Sequence, residues 1–146
     1  MKLAEALIER AEMQKVIAAL ESRMMQNVKI QEGDEAAEDV GELMKQYEEV
    51  MGELEKLIIR INETNFQSGL SQMLAHRDRL KNHIGIMRKL CDECSISQGN
   101  RFSRNEVKFV RCIDVADFQR RIDVLSKEYR TLDTQIQAKN WSIELI

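Results

Sequence analysis

The sequence predicts a mainly α-helical protein made of long antiparallel hairpins, and three observations carry this prediction. The 146 residues include no proline, so no fixed φ angle or missing amide interrupts a helix. Hydrophobic residues make up 43% of the chain and charged residues 32%, a balance typical of long amphipathic helices. Apolar residues also recur at spacings of three and four. We expect a single helical domain over residues 1–146, with helices at about 2–26, 36–65, 71–97 and 115–140.

The first helix carries a wide apolar face. Its seam, the row of apolar residues spaced to meet a partner helix, comprises Leu3, Ala6, Met13, Ile17, Leu20 and Met24. A second row widens the face through Leu7, Ile8, Ala11 and Ala18. One partner helix does not cover a face of this width, so we expect the first helix to pack against more than one neighbour.

The second helix has the most regular spacing. Steps of four and three residues alternate strictly through Val40, Met44, Tyr47, Met51, Leu54, Ile58 and Ile61. This alternation is the 3.5-residue repeat of a coiled-coil seam. We therefore predict that these seven residues face a partner helix.

The fourth helix repeats this spacing, and the third follows it less well. The seam of the fourth helix comprises Val115, Phe118, Ile122, Leu125, Tyr129, Leu132 and Ile136. Asp114 precedes it as a candidate N-cap. The third seam is interrupted by Arg77, and Gly85 lowers the helix propensity there. It comprises Leu70, Met73, Leu80, Ile84, Met87, Cys91 and Cys94. We expect the third seam to be the poorest of the four.

Turn signals separate the four helices. They are Gly33, the pair Ser68 and Gly69, and the run from Gln98 to Asn100. Short connections of this kind place consecutive helices side by side in opposite directions. We therefore expect antiparallel hairpins.

Two short segments depart from the helical pattern. Residues 27–31 and 106–113 contain β-branched residues and alternate in polarity. One interpretation is a short two-stranded β-ribbon in which 27–31 pairs with 106–113. The alternative is that helix 1 continues and helix 4 begins early, and the sequence leaves both open.

Charge is distributed unevenly in this chain of net charge -3. Residues 30–64 hold 11 acidic and 3 basic side chains, whereas residues 76–111 hold 9 basic and 4 acidic ones. Opposite charges beside apolar seams select helix partners, so we expect helix 2 to pair with helix 3, within one chain or between chains. Overall acidity and the scarcity of aromatic residues argue against a nucleic-acid partner. The basic residues that such a partner would need are Arg77, Arg79, Lys81, Arg88 and Lys89.

Cys91 and Cys94 have the spacing of metal ligands, and Cys112 is a candidate third ligand. His76 and His83 lie too far along the same helix to share an ion with Cys94. Because a structural zinc site needs four ligands, we predict no metal site and expect these cysteines to act as small hydrophobes.

No pattern of catalytic residues is evident in the sequence. The serines do not lie in a G-x-S-x-G turn, no glycine-rich phosphate loop is present, and the chain has only 2 histidines. We therefore predict no catalytic residue, no cofactor and no enzymatic activity.

The segment RFSRNE is the candidate site. Arg101 and Arg104 flank Ser103, and Ser103 and Glu106 have the spacing of a capping box. Two guanidinium groups can bind an anion or a carboxylate. We favour an assembly contact with the acidic stretch 32–39, and anion binding is the alternative.

Several segments of the chain resemble a known family. They are MKLAEALIERA at 1–11, QEG at 31–33, RINETN at 60–65, RFSRNEVKFV at 101–110, the run 113–137 and NWSIEL at 140–145. Together they are similar to small bacterial helical proteins, largely uncharacterised, whose members are often labelled septicolysin. The resemblance implies a helical, coiled-coil-like fold and, through that label, activity on membranes. It assigns no role to the polar residues of these segments, namely Asn62, Thr64, Asn65, Asn140 and Trp141.

The sequence favours a scaffold protein of the cytoplasm. No export signal is visible at the start, the longest aliphatic run is Leu57 to Ile59, and three cysteines fit a reducing compartment. The apolar seams exceed what one hairpin pair covers, so we expect a homo-oligomer. Our hypothesis is a non-enzymatic, self-assembling coiled-coil scaffold. The alternative is a septicolysin-like protein that forms pores in membranes and is haemolytic.

Overall fold

A computed structural model describes residues 1–96 and 109–146 of the chain. Four helices account for most of these residues: α1 (Leu3–Asn27), α2 (Val40–Gln67), α3 (Leu70–Ile96) and α4 (Val115–Ser142). The predicted class, mainly α with four long helices, is confirmed. The described residues form two compact units, a first unit of Met1–Gly69 with Ala138–Ile146 and a second unit of Leu70–Gln137. The single domain expected from the sequence stays a prediction.

Carboxylate caps explain where three of the helices begin. At α1, the Glu5 side chain accepts a hydrogen bond from the Lys2 amide at 2.7 Å. At α2, Asp39 Oδ1 accepts from the Gly41 amide at 2.8 Å. At α4, Asp114 Oδ1 accepts from the Asp117 amide at 3.1 Å, which confirms Asp114 as the N-cap. Each carboxylate satisfies an amide that has no partner within the helix, and its charge opposes the positive end of the helix dipole.

Two of the predicted turns are present. Gly33 adopts a φ of 92°, and the Asp34 amide donates to the Gln31 carbonyl at 3.0 Å. Gly69 adopts a φ of 76° between α2 and α3. Such positive φ angles strain residues that carry a Cβ atom, which is why glycine occupies both positions. The third signal, from Gln98 to Asn100, lies outside the described residues.

In the first unit, α1 packs against α2 as an antiparallel hairpin. The buried or half-buried seam of α1 includes all six predicted residues. Of the residues that widen its face, Leu7 is half-buried, whereas Ile8 is 55% exposed and Ala11 and Ala18 are exposed. The expected second neighbour of α1 is therefore not found within the described chain.

The seam of α2 differs from the predicted one. The residues that are buried or half-buried against α1 also alternate by four and three: Leu43, Tyr47, Val50, Leu54, Leu57, Ile61 and Thr64. Tyr47, Leu54 and Ile61 belong to both series, but Met44 and Met51 are each 40% exposed. The prediction was wrong at these positions because α2 carries two apolar series with the same repeat. Only the position of α1 decides which series is buried.

In the second unit, α3 packs against α4. Its buried cluster consists of Ile84, Met87, Cys91 and Ile122. Four partly buried residues of α4 pack against this cluster: Val115, Phe118, Leu125 and Tyr129. The predicted seam residues of α3 and α4 are all buried or half-buried. The seam of α3 is not the poorer of the two, because five of its residues are buried (Leu70, Leu80, Ile84, Met87 and Cys91) against three on α4 (Ile122, Leu132 and Ile136). Arg77, which interrupts that seam, donates from Nη1 to Asp133 Oδ1 on α4 at 2.7 Å.

The predicted β-ribbon is not supported by the described residues. Residues 28–31 and 109–113 form no strand there, and 106–108 lie outside the description. Helix α1 ends at Asn27, whose side chain donates to the Arg23 carbonyl at 2.9 Å and accepts from the Glu38 amide at 3.1 Å. These bonds fold the chain back toward α1. The helical alternative is not observed either, since α4 begins at Val115.

Candidate functional site

The residues predicted as the site, Arg101, Ser103 and Arg104, lie outside the described part of the chain. Their role in assembly or anion binding stays a prediction. Each of the two units presents other surfaces that are candidates for a functional site.

The two ends of the chain meet in the first unit. The Leu3 amide donates to the Ile143 carbonyl at 2.9 Å, and the Leu145 amide donates to the Met1 carbonyl at 2.8 Å. Lys2 and Glu144 form an antiparallel bridge between these bonds. Glu144 also accepts from the Met1 amine at 3.2 Å, and its other oxygen lies 2.5 Å from Lys2 Nζ. We call this arrangement, together with its contacts to α2, the terminal clasp.

Helix α2 holds the terminal clasp from the other side. Thr64 is 1% exposed, and its hydroxyl donates to the Arg60 carbonyl at 2.8 Å. The same oxygen accepts from the Ile146 amide at 3.1 Å, while Arg60 Nε donates to the Ile146 carbonyl oxygen at 2.7 Å. Lys139 Nζ reaches the Ser68 carbonyl at 3.3 Å. The clasp therefore joins residues 1–3, residues 60–68 at the end of α2 and residues 139–146, and the polar groups named here are hydrogen-bonded or paired with one another.

Several polar residues that the sequence left without a role lie at this clasp. Thr64 is fully buried and Asn140 is 9% exposed, so both belong to the interior of the first unit. Asn65 supplies its carbonyl to the Ser68 hydroxyl at 3.4 Å. Asn62 is exposed, and Trp141 is 57% exposed. Their arrangement indicates a structural role for Thr64 and Asn140.

Two exposed ion pairs in the first unit shift the pKa values of their members. The hydrogen bond from Lys2, followed by that from the Met1 amine, lowers the pKa of Glu144. The hydrogen bond from Arg23 lowers the pKa of Glu38, and the same bond raises the pKa of Arg23. Arg23 Nε and Glu38 Oε2 are 2.9 Å apart, and a second bond from Nη2 makes this pair bidentate. It ties the end of α1 to the segment that precedes α2.

A shallow groove of about 620 Å³ runs along the uncovered side of α2. We call it the Gly52 groove; its lining residues are Tyr47, Glu48, Met51, Gly52, Leu54, Glu55, Ile58 and Ile59. Met51 is 40% exposed and Ile59 is 50% exposed. The groove thus presents the second apolar series of α2 between two carboxylates.

A second groove, of about 400 Å³, lies on the second unit between α3 and α4. We call it the Gly85 groove; it is lined by Lys81, Ile84, Gly85, Arg88, Ser126, Tyr129 and Arg130. The hydroxyl oxygen of Ser126 is buried and has no hydrogen-bond partner among the described residues. This groove is therefore apolar at its base and basic at its rim.

His76 and Glu128 form the arrangement in the second unit that most nearly suggests acid-base chemistry. His76 Nε2 lies 3.2 Å from Glu128 Oε1, and the side chains are 40% and 47% exposed. They line an open groove of about 450 Å³ together with Lys127 and Thr131. His76 Nε2 is itself buried and makes no hydrogen bond, and no hydroxyl or thiol among the described residues is hydrogen-bonded to it, so the pair fits a contact between α3 and α4.

The cysteines occupy three different environments. Cys91 is 4% exposed within the apolar cluster of the second unit, as a small hydrophobe would be. Cys94 is half-buried, and Cys112 is exposed with its thiol 3.8 Å from the Val110 carbonyl. Among the residues that the structure describes, no group of three or more His, Cys, Asp or Glu side chains is arranged to hold a metal ion.

A family model described as a family of unknown function, DUF6847, matches residues 10–145. The chain belongs to this family. It is also similar to a conserved protein of unknown function from Corynebacterium diphtheriae, whose crystal structure has been solved. The two chains are 37% identical, the similarity covers 100% of this chain and 99% of that one, and the TM-score is 0.89. No curated protein matches the chain.

Neither description supports the label septicolysin, which the sequence resemblance had suggested. Family membership and the solved structure agree with the helical fold but name no activity, ligand or partner. Within the ranges 1–96 and 109–146, none of the helices combines the length and the apolar character needed to span a bilayer. The candidate functional surfaces are therefore the Gly52 groove and the Gly85 groove, because the polar groups of the terminal clasp are already hydrogen-bonded to one another.

Proposed function

We propose that this protein is a non-enzymatic scaffold of the cytoplasm that associates with copies of itself. The observation that carries the proposal is a set of exposed apolar side chains on α2. Met44 and Met51 are each 40% exposed, Ile59 is 50% exposed, and Phe66 is 74% exposed. A helix whose apolar residues spread around more than one face is built to contact more than one neighbour. Within the first unit, α1 leaves these four side chains exposed.

The energetic argument favours association over exposure to water. Full burial of a Met or Ile side chain contributes roughly 1.5–3 kcal/mol, and these side chains are only about half buried in a single chain. Several of them on one helix can together offset part of the entropy that two molecules lose on association. An apolar row bordered by carboxylates also resembles an interface, in which a polar rim surrounds an apolar centre.

The test is the mass of the purified protein by light scattering over a range of micromolar concentrations. We expect a mass above the 17.0 kDa of one chain, and we expect Met51→Glu to lower it by placing a charge in the groove. The matched control is Gln46→Glu, which adds the same charge at an exposed position on the other side of α2. The control should associate as the wild type does.

Two results would contradict the proposal. One is a mass of 17.0 kDa for the wild type at every concentration. The other is leakage of a dye from lipid vesicles caused by the wild type at low micromolar concentration, which would favour the membrane-active alternative.

A further inference from the structure

The two grooves are built on the same local sequence pattern with opposite charges. Residues 48–55 of α2 read EEVMGELE, and residues 81–88 of α3 read KNHIGIMR. In each segment of eight residues, the first and the last residue are charged, the fourth is apolar and the fifth is glycine. The charges are Glu48 and Glu55 in the first segment, and Lys81 and Arg88 in the second.

The two segments share a buried position after the glycine and open space in front of it. The residue two positions after each glycine, Leu54 or Met87, is buried in its own unit, at 7% and 3% exposure. The residue before each glycine differs, since Met51 is 40% exposed whereas Ile84 is 6% exposed in the core of its unit. A Cβ atom added at Gly52 or Gly85 would meet nothing within 4 Å, so the space in front of both glycines is open.

The spacing of the charges is equal on the two helices. Residues seven apart lie on one face, about 10.5 Å from each other along the axis. All four charged side chains are exposed, and none of them is in an ion pair with a residue in the described ranges. Two helices that cross at their glycines can approach closely, and the four charges then meet in two pairs whichever way the helices run.

We propose that the Gly52 groove of one copy docks onto the Gly85 groove of a second copy. This inference rests on the proposed self-association and names the two surfaces that meet. Glu48 and Glu55 pair with Lys81 and Arg88 of the other copy, while the exposed Met51 side chain packs into the open space beside Gly85. The Ser126 hydroxyl, buried without a partner, then supplies a hydrogen-bond donor to an incoming carboxylate.

Electrostatics select this arrangement over contacts between identical grooves. Two Gly52 grooves facing each other would bring four carboxylates together. Two Gly85 grooves would gather the ammonium and guanidinium groups of Lys81, Arg88 and Arg130 from both copies. Like charges held together at an interface oppose association, whereas opposite charges favour it and also fix the register of the two helices.

The experiment uses two charge-reversed forms of the full chain. One is Glu48→Lys with Glu55→Lys, and the other is Lys81→Glu with Arg88→Glu. Each alone places like charges across the proposed contact, so we expect its dissociation constant to rise at least tenfold. Mixed in equal amounts, the two forms should associate again, because each now offers the groove that the other lacks. Light scattering and sedimentation velocity measure the masses, and circular dichroism verifies that each form is helical.

A matched control and a salt series complete the test. Glu49→Lys with Glu53→Lys makes the same charge change at exposed positions outside the Gly52 groove, and it should associate as the wild type does. If either reversed form fails to fold, the wild type still provides a test. Its association should weaken steadily as sodium chloride rises from 0.05 to about 1 M, because salt screens the four charges.

The outcomes separate this inference from the proposed function. If the wild type associates but the reversed forms associate equally well, or if their mixture fails to recover, the docking is wrong and self-association stands. Association that does not respond to salt also overturns the docking. If the wild type remains a single chain throughout, both proposals fail.

Discussion

At the scale of single residues, Thr64 shows how a polar group is accommodated in an apolar seam. It occupies a position where the four-and-three spacing of α2 would suit an aliphatic residue, and it is 1% exposed. Its hydroxyl donates to the Arg60 carbonyl and accepts from the Ile146 amide. Both capacities of the hydroxyl are used, so its burial carries little desolvation cost.

We expect Thr64→Val to lower the free energy of unfolding by about 1 kcal/mol. Valine has nearly the same shape, so the change removes the acceptor for the Ile146 amide and leaves the packing in place. The control is Thr131→Val, because the Thr131 hydroxyl donates only to the Lys127 carbonyl within its own helix and is exposed. Urea denaturation measures both. Equal effects of the two changes would show that the bond to Ile146 contributes nothing.

The pKa of Glu144 predicts how stability depends on pH. The bonds from Lys2 and the Met1 amine lower this pKa in the folded protein. The Glu144 carboxylate is therefore harder to protonate in the folded chain than in the unfolded chain. The resulting stability is present above the unfolded pKa, about 4.3, and is lost as the pH falls through the folded value. Glu144→Gln should therefore unfold more easily than the wild type at pH 7.

The difference between wild type and Glu144→Gln should shrink as the pH is lowered below about 4.3 and should vanish in stronger acid. Urea denaturation at a series of pH values measures it. Glu63→Gln is the control, since Glu63 is exposed and makes no ion pair within the described ranges. A difference for Glu144→Gln that stays constant from pH 7 to pH 2 would contradict the prediction.

At the scale of elements, the pair of α3 and α4 combines an apolar seam with one polar contact. Arg77 takes a seam position, and its bond to Asp133 sets α3 against a defined position of α4. These side chains are 26% and 37% exposed, so water screens the pair and its contribution to stability is small. A polar residue of this kind fixes the register of two helices more than it strengthens them.

Cys91 provides the test of this seam. We expect Cys91→Ala to lower the free energy of unfolding by about 1 kcal/mol, because it removes a buried sulfur from the cluster with Ile84, Met87 and Ile122. Cys112→Ala is the matched control at an exposed cysteine and should have little effect. Thermal unfolding measures both variants, and elemental analysis accompanies it. A stoichiometric zinc ion in the wild type that disappears with Cys91→Ala would show that the cysteine is a ligand instead.

At the scale of the whole molecule, the two compact units are linked by the chain itself. Helix α4 contributes Val115–Gln137 to the second unit and Ala138–Ser142 to the first without a break, and α3 begins directly after Gly69. This continuity is the physical reason for expecting one cooperative domain.

We expect both units to unfold together. Pulsed hydrogen exchange along a urea titration should show the amides of α1 and α2 losing protection at the same urea concentration as those of α3 and α4. The measurement is made at one protein concentration, because self-association would stabilise the folded state. Two separate midpoints would show that each hairpin is a domain of its own.

The sequence determined those features of the fold that depend on residues close together in the chain. The absence of proline and the alternation of apolar residues were sufficient to predict four helices, the Asp114 cap, the turns at Gly33 and Gly69, and the seams of α3 and α4. Each of these features depends on residues within a few turns of one another. The cap, for example, needs only a carboxylate three residues before the amide that it binds.

Tertiary structure decided the features that depend on residues far apart in the chain. On α2 the sequence offered two apolar series of equal period, and contact with α1 determined that Leu43 and Leu57 are buried while Met44 and Met51 are exposed. The terminal clasp joins Leu3 to Ile143 and Thr64 to Ile146, and no local sequence pattern predicts these two contacts. The sequence by itself determined which residues form helices, because helical periodicity is local. Packing decided which apolar residues of α2 remain exposed, because α1 can contact only one side of that helix.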